Sequence, residues 1–321
     1  MAVNDKIFKA DYNNIRNKVV GVLGVTTSGN SGYGQPVRSA AVSESDKVTI
    51  NEWGNLYYDI VNCYVHQTGA APGSPSSAVE NATIAYRSTQ PNYQYDDYAN
   101  VIVANKFTVA GSQSFTTAYG TTSQTWPGIY GSYWNTLIQC TITATWPTAA
   151  AARYFFNSGG EIRFSSSLTG STANDQTIGW SSLLTAAGTK AFGGNKPGTG
   201  TSPSDNTNFY RLTNAYSIWT SSTGSGAYTS NIWRIQARSN VLNNTAGGAT
   251  QIEFLVQWVD GYIDYDIGRS GPGQFTPPGD EVYGTINLSV STLAAIGTLV
   301  PSGAGAFAVT QPTITLGGIA P

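Results

Sequence analysis

The chain has 321 residues, 40% of them hydrophobic and only 11% charged, with a formal net charge of -2. Together with 36 glycines, its apolar share is that of a globular domain, so disorder does not describe the whole. Sixteen basic residues spread among 18 acidic ones form no cluster that could displace counterions from a phosphate backbone; this argues against nucleic acid as a partner, and a membrane surface is disfavoured on the same ground.

Met1 to Lys9 is polar and mixed, unlike a secretory signal, so the protein is expected to start in the cytoplasm that makes it. No run of about 18 apolar residues suggests a membrane-spanning helix. Gly, Ser, Thr, Asn and Tyr stand where Lys, Glu and Leu are usual, beside 8 Trp and 19 Tyr. Scarce Lys and Glu lower the expectation of helix, and Thr, Tyr, Trp, Val and Ile favour pleated surfaces. A surface with so little charge is poorly protected against association, and Tyr and Trp cover contact area at little rotamer cost. Permanent assembly is the expected consequence.

In chain order, Phe8, Tyr12, Ile15, Val19 and Val22 recur at spacings of four and three, one face of an amphipathic helix that Gly24 ends. A turn-rich stretch from Ser28 to Pro36 leads to a second helical pattern, Ile50, Trp53, Tyr57, Ile60 and Tyr64, with Thr49 or Ser45 as N-cap. From Gly69 to Gln90 the composition turns to Ala, Pro, Gly and Ser, a linker or long loop. Beyond it strict alternation takes over. Ile138, Cys140, Ile142, Ala144 and Trp146 face one way, and Gln139, Thr141, Thr143 and Thr145 face the other. Ile162 and Phe164 repeat the pattern after the turn at Asn157 to Gly160. A single short helix holds Trp180, Leu183 and Leu184. Further strands carry Trp233, Ile235 and Ala237, then Ile252, Phe254, Val256 and Trp258, then Ile286, Leu288 and Val290. The expected fold is mainly β: an antiparallel β-sandwich, jelly-roll or immunoglobulin-like, preceded by two amphipathic helices. The expected organisation is a helical adaptor over 1–68, a linker over 69–90, a β body over 91–300 and a C-terminal extension over 301–321.

The chemistry-bearing residues are few. His66 is the sole histidine and falls at the end of the second helical pattern, where an imidazole interacts with the last carbonyls. No nucleophile elbow, phosphate-binding loop or dinucleotide fingerprint occurs. Cys63 and Cys140 are too few for a disulfide framework or a zinc set and read as small core hydrophobes. No cofactor is expected. Asp260, Asp264 and Asp266 are weak calcium candidates, read more simply as solvated strand-end carboxylates because the glycine and distal glutamate of an EF-hand loop are absent. Glycoside cleavage needs two carboxylates flanking a groove. Asp96, Asp97, Glu161, Asp175 and Glu253 are available without a spacing that marks a pair, and Glu161 and Glu253 sit beside Arg163 and Gln257, where cross-strand pairing explains them. The chain is therefore read as no enzyme. Tyr93 and Tyr95 in one aromatic cluster, and Trp126, Tyr130 and Trp134 in another, would stack on sugar rings or serve as core and interface anchors, the second reading being preferred.

Several runs resemble virion structural proteins of tailed phages, especially the contractile-tailed cyanophages. These are Ala10 to Arg16 (ADYNNIR), Gly32 to Gln35 (GYGQ), Tyr133 to Asn135 (YWN), Ala152 to Ser165 (ARYFFNSGGEIRFS) and Gly284 to Ile286 (GTI). The resemblance implies a non-enzymatic particle component of tail, neck, baseplate or fibre-associated type. Its partners would be copies of itself and other virion proteins, and its place the virion, assembled in the host cytoplasm. The alternatives are a glycan-binding receptor-recognition protein, with a host surface glycan as partner, or a capsid decoration protein. On the structural reading Phe8, Tyr12, Ile15, Trp53 and Tyr57 are interface anchors that dock the helices on a neighbouring subunit. The other reading of the same residues is that both helices pack against the β body.

Overall fold

The computed structural model describes residues 9–44, 48–73, 94–110, 116–125, 133–134, 137–170, 174–194, 207–262, 282–293 and 306–309. Helix α1 (Lys9–Leu23) buries Tyr12, Ile15, Val19 and Val22, the face its spacing marks. Gly24 closes it with an amide bond to the Val20 carbonyl at 2.8 Å. Helix α2 (Ile50–Thr68) opens on a capping box in which Thr49 and Glu52 satisfy each other's backbone amides. A third helix, α3 (Gln94–Ala104), lies where the sequence was read as β body. Its buried Tyr95, Ala99 and Ile102 carry the same four-and-three spacing, masked in the sequence by the conspicuous tyrosines around them.

These three helices share a core of their own. Trp53 sits at its centre, with the Tyr12 ring edge-on at 5.2 Å and the Tyr95 ring at 4.9 Å. The irregular strap after α1 is held by one carboxylate. Asp59, fully buried on α2, accepts from the amides of Arg38 and Ser39 and from the Ser39 hydroxyl at 2.7 Å.

The strands form two antiparallel sheets and a short ribbon. In the four-stranded sheet, β1 (Thr116–Thr125) pairs with β10 (Thr285–Leu293), β10 with β4 (Glu161–Thr169), and β4 with β5 (Lys190–Phe192). The five-stranded sheet runs β11 (Ala306–Val309), β3 (Leu137–Thr145), β8 (Gln251–Val259), β7 (Ile232–Ser239), β6 (Ser217–Thr223). Strands β2 (Tyr133–Trp134) and β9 (Val282–Tyr283) make the ribbon. Neither sheet closes on itself. Helix α4 (Ala149–Asn157), capped by Thr148, precedes β4, and α5 (Asp175–Ala187), capped by Asn174, packs on it. With five helices among the described residues the chain is mixed α/β rather than mainly β.

The alternating residues of the sequence face a single core. Phe164 of β4 meets Phe254 of β8 at 4.9 Å, while Phe192 of β5 meets Trp219 of β6 at 5.2 Å and Phe254 at 5.0 Å. Trp258 of β8 also reaches across, its indole N–H donating to the Ser166 hydroxyl of β4 at 3.0 Å. Apolar faces from both sheets thus bury one another, the dominant favourable term in such a fold.

The helices are fastened to the sheets by the loop at 24–35. Arg153 donates to the Thr26 carbonyl at 3.3 Å and to that of Gly247 at 3.2 Å. Tyr154 also donates to Thr26, and Asn157 donates to the carbonyls of Ser31 and Gly32 at 2.9 and 3.0 Å. Tyr210 donates to Asn157 and lies within bonding distance of the Gly29 carbonyl, and the Gly29 amide bonds the Ala246 carbonyl at 2.9 Å. Two glycines make this contact possible. Gly34 and Gly247 both hold positive φ, and a Cβ there would fall 2.4 Å from the Tyr154 ring and 2.5 Å from Arg153 Cγ.

Gly34→Ala is therefore expected to lose about 1–3 kcal/mol of stability from the backbone strain alone, measured by urea unfolding. Gly21→Ala, on α1 with nothing near the added methyl, is expected to gain about 0.5–1 kcal/mol from helix propensity.

Candidate functional site

The proposed docking anchors are covered by this chain itself. Tyr12 is fully buried, Ile15 and Trp53 nearly so, and Tyr57 packs partly buried against the same cluster. The Tyr12 hydroxyl lies 3.1 Å from the Ala40 carbonyl and 3.2 Å from that of Glu52, and burial pushes its ionisation up to about 12. Phe8 lies outside the described residues. Amphipathic spacing marks a face that must be covered; here α1, α2 and α3 cover one another, so Tyr12, Ile15 and Trp53 offer no surface to a second subunit. Nor do α1 and α2 simply pack on the β body, because they form a separate cluster with α3.

Of the aromatic residues read as core or interface anchors or, less favoured, as sugar-stacking platforms, Tyr95 is buried against Trp53. Trp134 lies in β2 opposite Val282; Tyr93, Trp126 and Tyr130 lie outside the described residues. Asp260 is buried rather than solvated, and both its oxygens accept from the Gln176 amide, at 2.7 and 2.8 Å. Asp264 and Asp266 lie outside the described residues. Among those described, no group of three or more His, Cys, Asp or Glu could hold a metal ion, and no helix is long and apolar enough to cross a membrane.

Both thiols, the imidazole and Glu161 are enclosed, whereas Asp175 is exposed and Asp96, half-buried, pairs with Lys18 at 2.6 Å. Burial raises both thiols, that of Cys140 to about 12, which leaves them poor nucleophiles. His66 does not cap its own helix. Its ring is buried, Nε2 donates to the Ser158 carbonyl at 2.8 Å, and the Tyr33 ring lies 5.0 Å away. Desolvation moves its ionisation below the ordinary 6.5. Glu161 is buried and accepts from Arg163 of its own strand at 2.9 Å.

Glu253 is half-buried and belongs to a site that the sequence did not announce. The alternation that buries Trp233, Ile235, Ala237, Ile252 and Phe254 turns Arg234, Gln236, Arg238, Gln251 and Glu253 to the other face of the five-stranded sheet. Over part of this face the side chains satisfy each other. Gln257 accepts from Arg234 at 2.7 Å and from Gln236 at 2.8 Å, and donates to Gln139 at 2.9 Å. Near the junction of β7 and β8 the surface opens into a hollow of about 330 Å³, lined by Asn214, Arg238, Ser239, Asn240, Gln251 and Glu253.

Register places Arg238 directly opposite Glu253, and their side chains pair at 2.7 Å. The guanidinium lies over the Tyr216 ring, 4.4 Å from its centroid, while the Tyr216 hydroxyl bonds Glu253. Burial, with the adjoining carboxylate, raises that phenol to about 12, so it stays a hydrogen-bond donor. Asn240 is committed to the backbone, accepting from the amides of Thr250 and Gln251. The hollow thus has rigid walls, one cation, one anion and several amides. The sequence places Glu253 in a cross-strand pair without naming the partner; alternation turns Arg238 outward, and the register identifies it as that partner. No protein-family model, curated protein or solved structure matches this chain.

The enclosed His66 gives a pH dependence of definite sign. Its proton is held more weakly in the folded chain, so the unfolded chain binds more protons and acid favours unfolding. Stability is expected to be full above 6.5 and to fall as pH drops below it, by about 1.4 kcal/mol per pH unit for this group until its folded-state value is passed. Urea unfolding of His66→Gln across the same range should lack that increment of slope.

Proposed function

We propose that the chain is a non-enzymatic structural component of a tailed-phage virion, working in symmetric copies as a tail, neck, baseplate or fibre-associated protein. The observation that carries the reading is the use made of the buried polar side chains. Asp59 holds a strap, Asp260 holds Gln176, Arg153 and Asn157 hold the loop at 24–35, and His66 holds the Ser158 carbonyl. Each serves the framework, as in a building block, whereas a catalyst keeps titratable groups poised in a cleft.

The runs that resemble phage virion proteins support the same reading by their location. ADYNNIR supplies Tyr12 and Ile15 to the helical core, and GYGQ supplies the glycine that lies against Tyr154. ARYFFNSGG supplies Arg153, Tyr154 and Asn157 to the fastening. The likeness rests on framework positions, so it speaks to architecture more than to chemistry. In that architecture the two sheets are layers of a β-sandwich, a reading supported by the rings of Phe164, Phe192, Trp219 and Phe254 that meet between them. Low charge and an uncharged polar surface suit repeated contact with identical neighbours.

Light scattering on the purified chain tests the proposal, together with mass spectrometry of purified particles of the encoding phage. A closed oligomer that is also found in particles is expected; a monomer at high concentration that is absent from particles would end the reading.

A further inference from the structure

We infer that the hollow beside the Arg238–Glu253 pair is a binding site for a neutral saccharide. The inference does not depend on the virion reading, since it follows from the chemistry of the lining.

The hollow lies at the lower end of the roughly 300–1,000 Å³ range typical of small-molecule sites; its lining residues Asn214, Arg238, Gln251 and Glu253 all end in polar groups, while the wall between those groups is as much aliphatic carbon as polar atom, the mixed surface that a sugar's hydroxyls and C–H faces match. Among the described residues the side-chain amides of Asn214 and Gln251 make no hydrogen bond, and neither does the second carboxylate oxygen of Glu253. Arg238 spends one nitrogen on Glu253. Donors and acceptors therefore remain on both sides of one small space. A ligand that satisfies them must itself both donate and accept at closely spaced points, as the vicinal hydroxyls of a sugar do.

The charge pattern narrows the class. An anionic ligand attracted by Arg238 would meet the Glu253 carboxylate, and a cationic one attracted by Glu253 would meet the guanidinium; either leaves a like-charge contact. An apolar ligand would strip water from amides without replacing their hydrogen bonds. An extended peptide is best served by an open strand edge; the edge strands of this sheet are β11 and β6, whereas Arg238, Gln251 and Glu253 lie on β7 and β8. Neutral sugar hydroxyls meet none of these objections.

The site is also preorganised. Glu253 is fixed by Arg238 and Tyr216, and Arg238 by Glu253 and the Tyr216 ring. Asn240 locks the turn between β7 and β8 through the amides of Thr250 and Gln251 and the Thr250 hydroxyl. The ion pair and the turn are thus set before a ligand enters, and only the Asn214 and Gln251 amides are left to be ordered by it. These positions differ from the aromatic clusters at Tyr93, Tyr95, Trp126, Tyr130 and Trp134, and recognition here rests on hydrogen bonds rather than on an exposed ring.

Saturation-transfer NMR on the full chain tests this with methyl mannoside, maltose, lactose and chitobiose as neutral probes, and with sialyllactose and tetraglycine as anionic and peptide probes. At least one neutral sugar is expected to receive saturation. The N214A/Q251A variant, which removes the two amides and leaves the ion pair intact, is expected to bind it about tenfold more weakly with an unchanged unfolding midpoint. No transfer to any neutral sugar overturns the inference, as does equal binding by the variant, or a preference for sialyllactose or tetraglycine. Light scattering on the same sample reports assembly separately, so failure of one proposal is distinguishable from failure of the other.

Discussion

The architecture depends on seating the inner side of an irregular, partly exposed loop against the sheets without leaving the backbone it covers unsatisfied. The loop at 24–35 runs between the helices and the sheets, and its peptide groups have no ladder or helix to bond within. Unpaired and buried, each would carry a desolvation cost of about 1–3 kcal/mol. Arg153, Tyr154 and Asn157 meet the need by donating to the carbonyls of Thr26, Ser31 and Gly32, and Tyr210 steadies Asn157 by donating to it. Arg153 is nearly buried, and its hydrogen bonds among the described residues go to carbonyl oxygens. The guanidinium is stabilised by backbone dipoles, and the backbone by the guanidinium.

The same device occurs with opposite sign in the helical layer. Asp59 is a fully buried anion whose oxygens accept from the amides of Arg38 and Ser39. Each half of the molecule thus uses a charged side chain to fix a stretch of chain that regular secondary structure does not reach. A buried charge is costly unless fully hydrogen-bonded, so these positions tolerate little variation in geometry. That explains why glycine is needed where the Gly34 and Gly247 backbones pass the Tyr154 ring and the Arg153 side chain.

Much of this was legible in the sequence, and the omissions share a cause. Strands β3, β7, β8 and β10 announce themselves because one face is buried in the core and the period is two. Helices α1 and α2 do so by spacing and, for α2, by the Thr49 cap. Helix α3 was lost because Tyr95 and Tyr98 drew attention as rings rather than as positions on a face, and α4 because nine residues of AAAARYFFN give too few turns for a period to show. Spacing marks Tyr12 and Trp53 as residues that need cover but is silent on which molecule supplies it: the sequence reads them as anchors to a neighbouring subunit, and α1, α2 and α3 bury them within the chain. For the hollow, alternation turns Arg238 and Glu253 outward, yet only register sets them opposite each other. Tyr216 lies before β6, outside any periodic run.

The proposed assembly and the proposed ligand would make different demands on the exposed face of the five-stranded sheet. Where Gln139, Gln257, Gln236 and Arg234 hydrogen-bond one another, a neighbour covering the face would displace water from groups that already have partners, at modest cost. Around Asn214, Gln251 and Glu253 the polar atoms point into a hollow, and an apolar neighbour laid over them would leave them buried and unpaired. A symmetric assembly therefore gains most by contacting the self-satisfied part and leaving the hollow open. On that physical ground a saccharide site is compatible with a building block that spends its other polar groups on its own framework.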